Sequence, residues 1–278
     1  MTNKIDLNSG GLDITVYSPP AETVQSGLLP CIIFAHGFKG FKDWGGFPYM
    51  LEKLADAGYV AVSFNFSHNG VAADQPMDFT RLDLFAENTH SKELTDLHTI
   101  IDYIYSNAES YNIDKNRIAL IGHSRGGAAV IIGASEDERI KALVTLASVG
   151  DVNRYTPEQV KRWHEKGYIE IPNTRTNQMM RMNSEFLDDI EQNSDRLNIE
   201  KAFSRLKIPA LIVHGKEDLA VKYSDAEKLY ASSDRSKTEL CIIENTGHTF
   251  GIDHPFKGTT KAFDTVIEKM KEFLETNL

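Results

Sequence analysis

A serine set between glycines is the residue in this chain best placed to do chemistry. Gly122-His123-Ser124-Arg125-Gly126-Gly127 joins one apolar run, Ile118-Ala119-Leu120-Ile121, to another, Ala128-Ala129-Val130-Ile131-Ile132. That order reads as a strand, a tight turn and a helix. Side chains two positions either side of the serine would collide with the turn and the adjoining strand, and Gly122 and Gly126 remove them. The helix starting at the turn aims its free N–H groups and positive dipole end at negative charge formed beside the serine. Ser124 is therefore the candidate nucleophile.

A serine hydroxyl attacks a carbonyl only if a base takes its proton, and the base must then protonate the leaving group. Of nine histidines, His248 in Asn245-Thr246-Gly247-His248-Thr249-Phe250-Gly251 lies just after the last strand-like run and is the best placed. His254, in Asp253-His254-Pro255-Phe256, is its rival. His36 and His123 flank turns and read as structural, while His90, His98 and His164 read as surface or helix-flank residues. The imidazole needs a carboxylate to fix its tautomer and balance its charge. Asp218, in His214-Gly215-Lys216-Glu217-Asp218, sits just past the penultimate strand-like run and fits that role. Glu217 and Asp225 are the alternatives, each more ordinarily a solvated loop or cap carboxylate.

An attacked carbonyl becomes an oxyanion, which needs two hydrogen-bond donors. The backbone N–H of Arg125 is one candidate. The other is the N–H of Phe38 in His36-Gly37-Phe38-Lys39-Gly40-Phe41, where Gly37 lets the backbone come close.

These residues need a scaffold that gathers them. Apolar runs at 31–35, 60–64, 118–121, 142–146, 210–213 and 240–243 read as buried strands, and the candidate residues follow several of them. Ligands bind at the carboxyl ends of parallel strands, so the pattern predicts an α/β fold with a mostly parallel sheet. Residues 4–6 and 12–17 form a hairpin across Ser9-Gly10-Gly11. Helices are expected at 91–105, with Leu94, Leu97, Ile101 and Ile104 on one stripe and Thr89 and Ser91 as candidate caps, and at 260–274. The polar stretch 150–207 breaks the alternation and reads as a cap insertion, with helical pieces at 157–165 and 184–192 and no strong strand. Residues 1–149 and 208–278 then make the core.

In 278 residues, 41% are hydrophobic and 25% charged, the mix of one large globular domain. The net charge of −10, with both signs interleaved, argues against a nucleic-acid partner. No apolar stretch reaches the length of a membrane span or signal peptide, so no membrane partner is expected and the default compartment is the cytoplasm. Cys31 and Cys241 sit in apolar runs and read as free thiols. A homodimer is left open.

On His36-Gly37-Phe38, Gly122-His123-Ser124-Arg125-Gly126-Gly127, His214-Gly215-Lys216-Glu217-Asp218 and Gly247-His248, the chain resembles the α/β-hydrolase superfamily over nearly its whole length. Within it the chain is similar to bacterial carboxylesterases related to dienelactone hydrolases, cinnamoyl or feruloyl esterases and the catalytic domains of prolyl-oligopeptidase-type peptidases. The resemblance implies a central sheet flanked by helices, a cap before the penultimate strand, and serine, acid and histidine in that chain order. It implies the triad and the oxyanion hole without choosing a substrate; the ordered triad points to hydrolysis of carboxylic esters through an acyl-enzyme, a chemistry that needs no cofactor and no metal. Dienelactone hydrolases carry cysteine at the elbow, and haloalkane dehalogenases and epoxide hydrolases carry aspartate, so Ser124 points away from those chemistries. A peptidase or amidase, or a ligand-binding protein without activity, are the alternatives.

The substrate is less legible. Phe41, Trp44, Trp163 and Phe250 could line a pocket for a small-molecule ester, and Phe38 stands beside them; each could equally be packing. His68 follows a strand on the same edge, and Arg175 could bind a substrate carboxylate. Short or aromatic acyl groups are expected, since nothing resembles a long lipid-binding lid.

Overall fold

The computed structural model describes residues 2–20, 27–173 and 176–278. The Gly10-Gly11 pair, both at positive φ, turns β1 (Asn3–Ser9) back against β2 (Leu12–Ser18), and β2 pairs antiparallel with β4 (Val60–Phe64). The remaining strands are parallel: β3 (Leu29–Ala35), β7 (Ile113–His123), β8 (Ile140–Leu146), β11 (Ala210–Gly215) and β12 (Thr238–Ile243). The eight strands lie in the order β1-β2-β4-β3-β7-β8-β11-β12. This is the α/β-hydrolase fold that the motifs imply.

Strand residues alternate between two cores, as the period of two requires. Cys31, Ile33 and Ala35 face one side with α3 (His90–Ser106), α4 (Arg125–Glu136), α7 (Ile199–Arg205) and α8 (Tyr223–Ser232). Ile32 and Phe34 face the other, under α1 (Phe47–Asp56) and α9 (Lys261–Asn277). Thr89 and Thr260 cap α3 and α9, their side chains accepting the N–H of Lys92 at 3.2 Å and of Phe263 at 3.1 Å. Ser91 is not a cap: its N–H donates to Asp189 Oδ2 at 3.0 Å, tying α3 to the insertion.

The insertion departs from expectation. After α5 (Pro157–Lys166), which opens on a Thr156–Gln159 capping box, the chain forms a hairpin of β9 (Tyr168–Asn173) and β10 (Gln178–Asn183), then α6 (Glu185–Gln192). Glu170, Pro172 and Asn173 in β9 and Asn183 in β10 are poor strand formers, so propensity hid a hairpin that packing stabilises. Trp163 stacks on Phe186 at 5.7 Å, donates its Nε1–H to Met182 O at 2.9 Å, and joins the same core as α3 and α4. The insertion therefore shares the main core.

A second segment covers the strand ends where no element was expected: β5 (Val71–Ala72), β6 (Gln75–Phe79) and α2 (Leu82–Ala86). Gln178 Nε2 donates to Phe79 O at 2.9 Å, and Phe41, Phe79, Phe85 and Met180 close a small core between the two segments. Among the described residues, no helix is long and apolar enough to cross a membrane.

Candidate active site

The chain turns at Ser124 with φ 57° and ψ −119°, a conformation a β-carbon resists, at a cost of about 1–3 kcal/mol. The Ser124 N–H holds Leu146 O at 2.9 Å across the end of β8. A β-carbon on Gly122 would strike the Gly126 carbonyl, and one on Gly126 would strike the carbonyls of Ala35 and His36. Both glycines are thus required by backbone, which no rotamer change can relieve.

Three remote segments converge on this turn. His248, in the loop after β12, has its Nε2 3.0 Å from Ser124 Oγ and its Nδ1 2.7 Å from Asp218 Oδ2. The carboxylate fixes the tautomer: Nδ1–H donates to Asp218, so Nε2 accepts the serine O–H. Asp218 Oδ1 accepts the N–H groups of Ala220 and Val221, each at 2.8 Å. Burial pushes the Asp218 carboxyl up, but hydrogen bonds from His214, His248 and Val221 outweigh it and hold it well below the ordinary carboxylate range. His254 lies elsewhere: its Nδ1 accepts the Gly45 N–H at 2.9 Å and its ring stacks on Trp44. Glu217 is exposed and Asp225 accepts the Gly150 N–H at 3.2 Å, so neither reaches the imidazole.

Two histidines frame the site from behind. His214, buried at the end of β11, donates Nε2–H to Val221 O at 2.9 Å, with Asp218 Oδ2 at 3.3 Å from the same nitrogen. It steadies both Asp218 and its loop, a role the sequence did not reveal although its motif was in view. His123 donates Nε2–H to His248 O at 3.0 Å, and burial pushes its imidazole down to about 3, so it stays neutral. On the far side, His36 donates Nδ1–H to Gly37 O at 2.9 Å and accepts the Phe66 N–H at 3.3 Å; burial pushes it down to about 4. The loop after β3 is anchored again by Lys42, which donates to Thr15 Oγ1 at 2.9 Å and Asp43 Oδ2 at 2.7 Å. A β-carbon on Gly37 would lie 2.8 Å from Ser124 Cβ, so glycine is what lets this loop pass Ser124. Phe38 follows at once, and Arg125 opens α4 with an N–H that has no intrahelical partner.

Two cavities open beside Ser124. One, of about 310 Å³, is lined by Phe38, His90, Arg125, Arg154, Tyr155 and Phe186 among others. The second, of about 240 Å³, is lined by Phe38, Trp44, Phe47, His123, Asn173 and Thr249 among others. Of the residues expected at substrate, Phe38 and Trp44 are on these walls. Phe41 is fully buried against Phe79, Trp163 is inside the insertion, and Phe250 borders only a void of about 10 Å³, so these three are packing residues. His68 bonds Ser67 Oγ at 2.7 Å and borders a separate hollow with Lys92 and Asp96. Arg175 lies outside the described residues. Among the described residues, no cluster of three His, Cys, Asp or Glu side chains could hold a metal ion, and Cys31 and Cys241 are free thiols.

Comparison with known proteins agrees with this architecture. Residues 12–232 match the family model described as BD-FAE. The structure of Est1E from Butyrivibrio proteoclasticus with ferulic acid bound superposes with a TM-score of 0.72, at 20% identity, over 98% of each chain. The esterase domain of a Rhodothermus marinus protein superposes with a TM-score of 0.65, at 19% identity, over 100% of this chain and 99% of that one. At such identity these are likenesses of fold. The uncharacterised protein YcjY of Escherichia coli K12 is 28% identical over 156 residues, 54% of this chain and 46% of that protein. The chain thus spans about half the length of this curated relative.

Proposed function

The chain belongs to the BD-FAE family, and from that premise we propose that it is a serine hydrolase that cleaves carboxylic esters through an acyl-enzyme. The observation that carries this is the unbroken relay from Ser124 Oγ through His248 to Asp218, at 3.0 and 2.7 Å. In this reading His248 Nε2 takes the serine proton as Oγ attacks the ester carbonyl, and Asp218 balances the imidazolium. The N–H groups of Phe38 and Arg125 hold the oxyanion, helped by the positive end of α4. The imidazolium then protonates the departing alcohol, and the neutral ring activates a water that frees the acid. The two cavities beside Ser124 support this reading, one for the acyl half and one for the alcohol half. Their aromatic walls suit short or aromatic acyl groups, and ferulic acid bound to Est1E is in keeping with an aromatic one.

The test is turnover of 4-nitrophenyl acetate and methyl ferulate by the intact chain and by Ser124→Ala. A burst of one nitrophenolate per chain, with kcat reduced about 10⁵-fold or more in the variant, is expected. Turnover that survives in Ser124→Ala would refute the assignment.

A further inference from the structure

We propose that the side chain of Arg125 is a binding site for a carboxylate carried by the ester substrate, a refinement that rests on Ser124 being the nucleophile. The guanidinium stands on the wall of the 310 Å³ cavity beside Ser124, and its side chain is only 8% exposed. Its centre lies over two aromatic rings, 5.4 Å from the Phe38 centroid and 4.8 Å from the Phe186 centroid. One edge is taken, since Nε–H donates to Glu93 Oε2 at 2.8 Å. Glu93 is itself fixed by Asn88, whose Nδ2 donates to Oε1 at 2.8 Å. What remains is the Nη1–Nη2 edge, and Nη2 is buried without a partner among the described residues.

A guanidinium cannot shed its charge by losing a proton, so a buried one short of acceptors is a standing demand for an oxygen ligand. Two parallel N–H groups in one plane match a carboxylate better than a single acceptor. The setting favours a charged ligand over a neutral one, because Lys39 and Arg154 also line the cavity, opposed by Asp151. The aromatic rings beside the guanidinium also link it to two different segments around the site. Phe38 belongs to the loop passing Ser124, and Phe186 to α6 of the insertion. The preferred substrate is therefore an ester with a free acid on the half that occupies this cavity.

Two matched pairs test this, since the acid can sit on either half: 4-nitrophenyl hydrogen adipate against 4-nitrophenyl methyl adipate, and 4-acetoxybenzoate against its methyl ester. In at least one pair the acid form is expected to have a kcat/KM about 10-fold or more above the neutral form, through a lower KM. Arg125→Gln should bring that ratio to about one and Arg125→Lys should keep part of it. The ratio is taken within each variant, so general loss of activity does not blur it. Neutral esters turned over as fast as their acid forms in both pairs by the unmodified chain, whether or not the variants fold, would overturn the proposal. So would a preference that persists in Arg125→Gln. Failure to turn over any of the four esters would count against the hydrolase reading instead.

Discussion

The strand ends that hold Ser124, Asp218 and His248 and the two segments that cover them are built on different principles. At the strand ends each functional group sits in a turn fixed by backbone: Ser124 at φ 57°, Gly126 against the carbonyls of Ala35 and His36, Asp218 on the N–H groups of Ala220 and Val221. The cover is held by side chains, with Trp163 stacked on Phe186 and Phe79 and Met180 packed with Phe41. In the proposed reaction the strand ends supply the chemistry. The cover sets the shape and polarity of the cavities beside Ser124. Mutations should separate the two, with rate lost at one and stability lost at the other.

The largest effect is expected from Asp218→Asn, which keeps the shape but removes the charge that fixes the His248 tautomer. Its kcat should fall about 10⁴-fold with KM little changed, read from steady-state hydrolysis of 4-nitrophenyl acetate. A KM effect in place of a kcat effect would place Asp218 outside the relay. Next is Trp163→Ala, which opens a cavity inside the cover at a cost of about 3–5 kcal/mol in urea unfolding. Its kcat on the same ester should stay within a few-fold, and a loss as great as that of Asp218→Asn would erase the distinction between the regions.

The smallest effect concerns acid. His36, His90 and His123 are buried near the strand ends, and burial, the first cause in each case, lowers all three below the ordinary 6.5. Unfolded histidines take up protons below about 6.5 while these folded ones do not, so stability is full above that pH and declines as pH falls toward 4. Three such protons correspond to roughly 4 kcal/mol per pH unit near pH 5. His90→Phe should reduce the slope by about a third, measured by urea unfolding between pH 5 and 6. An unchanged slope would show that His90 is protonated in the folded protein.

The same contrast explains what the sequence disclosed. Gly122, Ser124 and Gly126 are read from local rules, because a tight turn between a strand and a helix demands particular residues at fixed offsets, and Asp218 and His248 are read from their places just past strand-like runs. The six parallel-sheet and edge strands were legible for the same reason, as apolar runs bounded by turn residues. The hairpin of β9 and β10 was not, since Pro172, Asn173 and Asn183 carry weak strand preference and Met180 gains its place from contacts with Phe79 and with Phe85 of α2. Nor was the fate of the aromatics: Phe38 and Phe41 differ by three positions, yet one lines both cavities and the other is sealed against Phe79. His214 and the Arg125 side chain were in plain view within their motifs. Their roles arise from partners far along the chain, Val221 and Glu93, that only folding supplies.

The most direct test of the central claim is covalent labelling of the intact chain with a fluorophosphonate, followed by peptide mass spectrometry. One adduct per chain on Ser124, formed rapidly at neutral pH and nearly abolished in His248→Ala, is the expected result. An adduct on another residue, or equally rapid labelling without His248, would contradict the relay from which the proposed chemistry follows.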